Sequence, residues 1–463
     1  MTDMAGVDIT TLSAGLLVLA VISVLISPRV TAADGFYRGA GPSGAAPDVW
    51  TLTLSQVTTW IFARSLLNAA ILGYSFGIAG VIAYAAYYGS FLTGWLIVDR
   101  LRFRHGAGNM QSFLQARYGR LGNACFNFLL AMRLLTEVFA NLLVVGIVFG
   151  VAGTSAYTWA IVAVAGVTLF YSLNGGLRAS LRTDVLQMGI LAVLLVVLFA
   201  MMLVHPAFDA DATLASSPDF TSPGWVLLVV ALLQVLSYPM HDPVMMDRGF
   251  IADRATTRAS FLHAFWISVL CILAFGALGV FAGLNRVGDE ALLATLARLM
   301  GDTAMLVAAA ALVISAASTM DSTFSSAAKL AVVDMGLGAG RTGAGRIAMA
   351  LFAAGGLALV FVGSDDLFAA VAVSGTASLF LTPVIVHSIL LDREVRPWAF
   401  QISFVTAIGG AILYFLENSK RITLIGDLTG VTHSYSKLLV VTVAILAIGF
   451  IAFALASRKR GQA

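Results

Sequence analysis

Residues 308–335 read AAAALVISAASTMDSTFSSAAKLAVVDM. The stretch is apolar enough to lie in a bilayer. Yet Ser315, Ser318, Thr319, Ser322, Ser325, Ser326 and Lys329 recur at intervals of three, one, three, three, one and three. That spacing is one face of an α-helix. Lipid offers no hydrogen bonds, so a hydroxyl face at bilayer depth has to look into protein or into a wet cavity. Serine and threonine also act as close-packing glue between membrane helices, and any one of these hydroxyls is more simply read that way. The whole stripe reads as an ion or substrate path, because a row of hydroxyl oxygens in a helical bundle can hold a small hard cation.

The rest of the chain agrees with a membrane setting. Of 463 residues, 59% are hydrophobic and 11% charged, with mean hydropathy +0.93. An ordinary soluble domain is about a quarter charged. The composition predicts an all-α polytopic membrane protein, one transporter domain over 1–463, with the lipid bilayer as its partner and no nucleic acid. Cys125 and Cys271 both sit in hydrophobic runs and imply no disulfide framework. The first apolar run has no basic flank before it and ends at Pro28-Arg29, so it reads as a retained helix rather than a cleaved leader.

Apolar stretches long enough to span predict about thirteen transmembrane helices. They lie near 10–28, 50–74, 76–102, 119–151, 156–173, 179–204, 222–241, 256–284, 303–336, 344–362, 366–392, 397–417 and 437–456. With the N-terminus outside and the C-terminus cytoplasmic, 19 of the 27 basic residues fall in cytoplasmic segments and 5 in outer ones. Arg64, Arg133 and Lys329 lie within spans. That bias obeys the positive-inside rule and predicts the cell (inner) membrane.

Setting aside the first and last two spans leaves ten, in two sets of five. An odd count makes the second set cross in the opposite sense, as an inverted-topology repeat requires. The segments are then 1–49 (first helix and loop), 50–204 (repeat 1), 222–392 (repeat 2) and 397–463 (C-terminal helices). In such repeats the first helix of each half is broken near mid-membrane, and the site lies at the breaks. Those helices are 50–74, with Thr58 to Ser65 at its centre, and 222–241, where Pro239 and Pro243 bracket His241-Asp242. Proline removes backbone donors and breaks a helix.

Several segments resemble the sodium/solute symporter family, which has a LeuT-type core. Tyr171–Gln187, YSLNGGLRASLRTDVLQ, is similar to that family's signature after its fifth core helix. Ser318-Thr-Met-Asp-Ser322, running on to Asp334, is similar to its second signature. Trp60–Ala70, WIFARSLLNAA, followed by GYSFG at 73–77, resembles the urea-transporter branch. Asp247-Arg248 stands where the family usually has Gln-Arg. The resemblance covers about residues 50 to 392. It implies a LeuT-type 5+5 inverted repeat with one extra N-terminal and two extra C-terminal helices.

It also implies a coupling Na⁺ held by the carbonyls of Thr58, Ile61 and Ser315 and the hydroxyls of Ser318 and Thr319. Five mostly neutral oxygens suit a hard cation that must also leave again. Asp184 resembles an aspartate associated with ion passage, and is equally readable as an interfacial carboxylate paired with Arg178 or Arg182. Lys329, about three turns beyond Thr319, snorkels toward the interface, pairs with Asp334 or Asp184, or stands in for a second cation on the same ion path.

The substrate end departs from the family. Arg64 is a charge at mid-membrane and needs a partner or a ligand. Asp242 is its expected partner, since Arg133 and Glu137 are spaced to pair with each other. Arg64, Ser65, Tyr84, Tyr87, His241 and Asp242 form the candidate solute site. The chain lacks paired carboxylates, a Cys/His metal motif and a nucleotide loop, so an enzyme is not expected. The reading is Na⁺-coupled import of a small polar organic solute by alternating access. The alternatives are proton coupling through Asp184, His241 or Lys329, and a transporter-shaped sensor.

Overall fold

The computed structural model of the protein describes residues 7–362 and 374–459. Among these, ten helices are long and apolar enough to cross a membrane, against thirteen expected spans. The difference has three sources. The helix expected at 50–74 is two pieces, α2 (Val49–Trp60) and α3 (Ala63–Ala86), and α3 runs on through 3-10 and π turns to Arg104. The segment 222–241 is a twelve-residue helix, α7 (Pro223–Gln234), ending in a break. Part of 366–392 lies outside the described residues. The remaining long helices are α1 (Ile9–Ile26), α4 (Met110–Phe149), α5 (Ser155–Gly175), α6 (Leu177–Leu203), α9 (Arg254–Leu284), α10 (Leu292–Lys329), α11 (Thr342–Val362), α12 (Pro397–Asn418) and α13 (Ser434–Ala456).

Three of these helices change direction at a glycine. Gly77, Gly119 and Gly301 have φ of +60°, +71° and +73° inside α3, α4 and α10. Only glycine visits such backbone at small cost. Gly77 therefore marks the boundary between the second and third expected spans. The turn there is capped from outside: Ile78 and Ala79 donate their amides to Ser216 Oγ and Ser217 Oγ, at 2.9 and 3.2 Å.

Glycine also sets the closest helix contact, α9 against α3. A Cβ on Gly279 would lie 1.9 Å from the Ala70 carbonyl oxygen, and one on Gly73 would lie 2.4 Å from that of Gly276. Small residues let membrane helices approach this far, where packing rather than a hydrophobic drive holds them. At the periphery, α1 turns Leu17, Val18 and Leu25 outward, as a helix facing lipid does.

Both expected breaks are present. The first falls at Ile61-Phe62, mid-way along 50–74. The second occupies 235–242, beyond α7, and the chain resumes as α8 (Pro243–Gly249). The second broken span thus ends near Gly249 and not at 241. Pro243 stands at the first position of α8, where a missing N–H does no harm. Asp242 caps that helix by accepting from the Met245 amide at 2.9 Å.

Candidate functional site

The last turn of α2 leaves four carbonyls, 57 to 60, without continuing helix. Val57 accepts from the Ile61 amide at 2.8 Å, and Trp60 accepts from the Tyr88 hydroxyl at 2.8 Å. Thr59 accepts a 3.4 Å bond from Thr319 Oγ1. Thr58 is the one of the four whose carbonyl takes no such bond among the described residues. One residue on, the Ile61 carbonyl accepts from Ser315 Oγ. On the facing side, Thr319 Oγ1 also donates to the Ser315 carbonyl at 3.0 Å, and Thr58 Oγ1 donates to Ser318 Oγ at 3.1 Å. The break in α2 and the hydroxyl face of α10 therefore meet, and all five residues expected around a cation converge there, buried. The oxygens gathered there are neutral and come from two backbone segments, a set that suits a hard cation rather than a softer metal.

Beneath this cluster lies a polar layer only partly foreseen. Asp184 on α6 is fully buried and accepts from Ser55 at 2.5 Å, Ser318 at 2.8 Å, Ser180 at 3.2 Å and Ser322 at 3.3 Å. Its cationic partner is Arg248 on α8, at 3.6 Å, and not Arg178 or Arg182. Arg248 also donates to Ser322 at 2.6 Å and to Ser55 at 3.1 Å. Asp321, one residue before Ser322, accepts from Tyr171 at 2.9 Å and Thr183 at 2.7 Å. Its second oxygen has no partner among the described residues.

Lys329 pairs with Asp247 at 2.7 Å and Asp334 at 3.2 Å, which leaves Asp184 out of its reach. Ser326 and Asn109 complete this cluster with bonds of 2.7 and 2.8 Å to Asp247 and Asp334. Together these pairs join α8, α10, α6 and the start of α4.

On the other side of the break, a cavity of about 350 Å³ is lined by Trp60, Arg64, Ser65, Tyr84, Tyr87 and Arg133 among others. It extends past Leu72 and Leu227 to Ser434, the start of α13. By chain direction this is the end of the bundle opposite the Lys329 cluster. Tyr84 donates to Ser65 at 3.1 Å, and Tyr87 donates to Gln234 at 2.9 Å.

The expected Arg64–Asp242 pair gives way to another. Arg133 reaches both carboxylates, 2.5 Å from Glu137 and 3.1 Å from Asp242. The spacing of Arg133 and Glu137 read correctly as a pair, but the fork of a guanidinium serves two partners, and Asp242 takes the second place. His241 and Asp242 do not line the cavity. His241 is wholly buried, its Nδ1 2.7 Å from the Tyr238 carbonyl. The residues missed were Arg133, Gln234 and Tyr238 in the cavity and Arg248, Asp247 and Asp321 below it. The only signal for Arg133 was a charge inside an apolar span.

No protein-family model matches the sequence, and no curated protein matches it. Solved structures do match. One is a Na⁺-coupled sialic acid symporter in its substrate-bound outward-open state, with TM-score 0.72 at 16% identity. The match covers 97% of this chain and 98% of that one. Another is Mhp1, a nucleobase-cation-symport-1 family transporter in a closed conformation with bromovinylhydantoin bound, with TM-score 0.53 at 15% identity. That match covers 90% and 95% of the two chains. At such identities the likeness concerns the fold. The chain is an all-α, multi-pass membrane protein of LeuT-like fold. Both of these neighbours are transporters, not enzymes.

Proposed function

We propose that the protein is a secondary active transporter that couples Na⁺ entry to import of a small polar organic solute by alternating access. The observation that carries this reading is the convergence of Thr58 and Ile61 from the broken α2 with Ser315, Ser318 and Thr319 from α10. Thr58, Ile61 and Ser315 would supply carbonyls to the ion, and Ser318 and Thr319 hydroxyls. The likeness of fold to a Na⁺-coupled symporter supports the same reading.

The arrangement explains coupling. An ion bridging α2 and α10 ties the two halves of the fold together. The cavity wall begins at Trp60, one residue from Ile61. Ordering the break for the ion therefore orders the wall for the solute. Linkage makes the effect reciprocal, and such couplings are typically about 1–3 kcal/mol. At the opposite end, Lys329–Asp247 and Arg248–Asp184 hold α8 against α10 and α6. These contacts would have to part when access alternates, with the N-terminus outside and the cavity opening outward.

Proton coupling would rest on Asp184, His241 or Lys329. Asp184 and Lys329 are held in ion pairs with Arg248 and Asp247, which occupy both groups in this state of the fold. The deciding experiment is uptake into proteoliposomes of a solute found by thermal-shift screening. Uptake should follow an imposed Na⁺ gradient. Uptake that ignores sodium and follows a pH gradient would replace this reading with proton coupling.

A further inference from the structure

Resting on that reading, we propose that α8 is a lever between the solute cavity and the sodium-binding hydroxyls. Arg133 and Asp242 are the positioning residues at its cavity end, and Arg248 is the positioning residue at its ion end.

α8 has seven residues, Pro243–Gly249, every one buried. At 1.5 Å per residue it is about 10 Å long. Backbone that is not α-helical flanks it, at 235–242 before and 250–253 after. A piece so bounded moves as a unit, because a few residues at its ends absorb the change of direction.

Its first turn is tied to the cavity. One Asp242 oxygen accepts from the Met245 amide at 2.9 Å and so caps the helix. The other accepts from Arg133 at 3.1 Å. Arg133 lines the cavity, and its guanidinium stands 5.9 Å from the ring of Phe62, also in the wall. Phe62 follows Ile61 in the first break. A solute settling against this wall therefore bears on the residue that holds α8.

Its last turn is tied to the ion. Arg248 donates back to the Val244 carbonyl at 3.0 Å, which fixes the guanidinium to the body of the helix. From there it reaches Ser55 on α2 at 3.1 Å, Ser322 on α10 at 2.6 Å and Asp184 at 3.6 Å. Asp184 accepts in turn from Ser318 at 2.8 Å, one of the two hydroxyls proposed for sodium. The neighbouring Asp247 holds Lys329 and Ser326, both on α10, at 2.7 Å each. α8 thus joins the cavity wall to α2 and α10, the two helices that carry the sodium oxygens. Charge-assisted hydrogen bonds hold both of its ends, and their geometry leaves little slack for a displacement to dissipate. Linkage is reciprocal, so a change made at the cavity end has to appear in sodium affinity even with no solute present.

Radiosodium binding to the purified protein tests the lever, with size-exclusion as the check on folding. Asp242→Asn keeps the cap on α8 and loses the charged bond to Arg133. It should weaken sodium binding by about two- to thirty-fold, the range for residues that modulate coupling while touching neither ligand. The Arg133–Glu137 pair that remains is neutral, so the variant is expected to fold; Arg133→Lys, a point charge in place of a fork, is the second variant at this end. Glu137→Gln removes an equal charge from the same guanidinium, 2.5 Å away, and leaves α8 untouched. It should change sodium affinity by less than about two-fold. Arg248→Lys keeps the charge but cannot reach Ser55, Ser322 and the Val244 carbonyl together. It should weaken sodium binding, and Asp242→Asn added to it should weaken binding no further, since both interrupt one route. Parent affinity in Asp242→Asn, an equal loss in Glu137→Gln, or losses that multiply in the double variant would overturn the lever and leave the sodium site standing. A parent that binds no sodium would remove the sodium reading itself, and the lever with it.

Discussion

Replacing Arg133 by methionine should unfold much of the protein's stability margin. The guanidinium is buried between Glu137 and Asp242, whose side chains are 3% and 2% exposed. Removing one member of a buried pair typically costs about 3–5 kcal/mol, because the partner is left charged in a medium that cannot solvate it. Here two partners are left, so the expected loss is near the top of that range, about 5 kcal/mol. At roughly 2 °C per kcal/mol, the unfolding midpoint should fall on the order of 10 °C. The double variant Arg133→Met/Asp242→Asn restores neutrality, since Glu137 then faces Arg64, which lies within its electrostatic reach. Asparagine also keeps the cap on the Met245 amide. The double variant should recover most of the loss. The assay is thermal unfolding in detergent with size-exclusion as a check on folding. A single variant as stable as the parent, or a double variant no better than the single, would refute the account of this cluster.

Gly279→Ala should impair folding, because its Cβ would sit 1.9 Å from the Ala70 carbonyl oxygen and backbone cannot rotate aside; overpacking of this kind costs about 1–3 kcal/mol or more, read as loss of monodisperse protein. Arg248→Gln should leave Asp184 without its cation and lower the midpoint by several degrees, whereas Arg178→Gln should not. On the loop before α10, hydrogen bonds from Arg298 pull the Glu290 carboxyl down to about 2. A depressed carboxyl stabilises the fold above its unfolded value, about 4.3, and that contribution disappears as pH falls through about 2. The stability difference between parent and Glu290→Gln should therefore be constant near neutral pH and shrink between about pH 4.5 and 2.

The hydroxyl face of α10 was legible in the sequence because helical periodicity is local, and so were the break in α2 and the paired spacing of Arg133 and Glu137. The partners of the other charges were not. Asp184 meets Arg248, and Lys329 meets Asp247, only because α6, α8 and α10 cross in space. A charge inside an apolar span announces that it needs a partner without saying which. For Asp242 the sequence offered two arginines of similar depth, Arg64 and Arg133, and packing chose the second. The second break was legible at the prolines, but the end of its span was not, because the helix that resumes past the break is only seven residues long. Pro243 begins that helix. The count of spans differs because hydropathy counts apolar stretches: it does not show that α3 begins only at Ala63 and runs through the kink at Gly77 to Arg104, nor that α7 stops after twelve residues.

The central claim is a sodium ion held between α2 and α10, and equilibrium sodium binding to the purified protein tests it most directly. Radiosodium binding should saturate, should not be displaced by potassium, and should weaken severely in Ser318→Ala/Thr319→Ala. Two charge-assisted contacts at about 1.5–3 kcal/mol each correspond to a loss of roughly 150-fold or more. Thr319→Ser, which keeps the hydroxyl, should bind nearly as the parent does. Unchanged sodium affinity in the double variant, with the protein folded, would contradict the account.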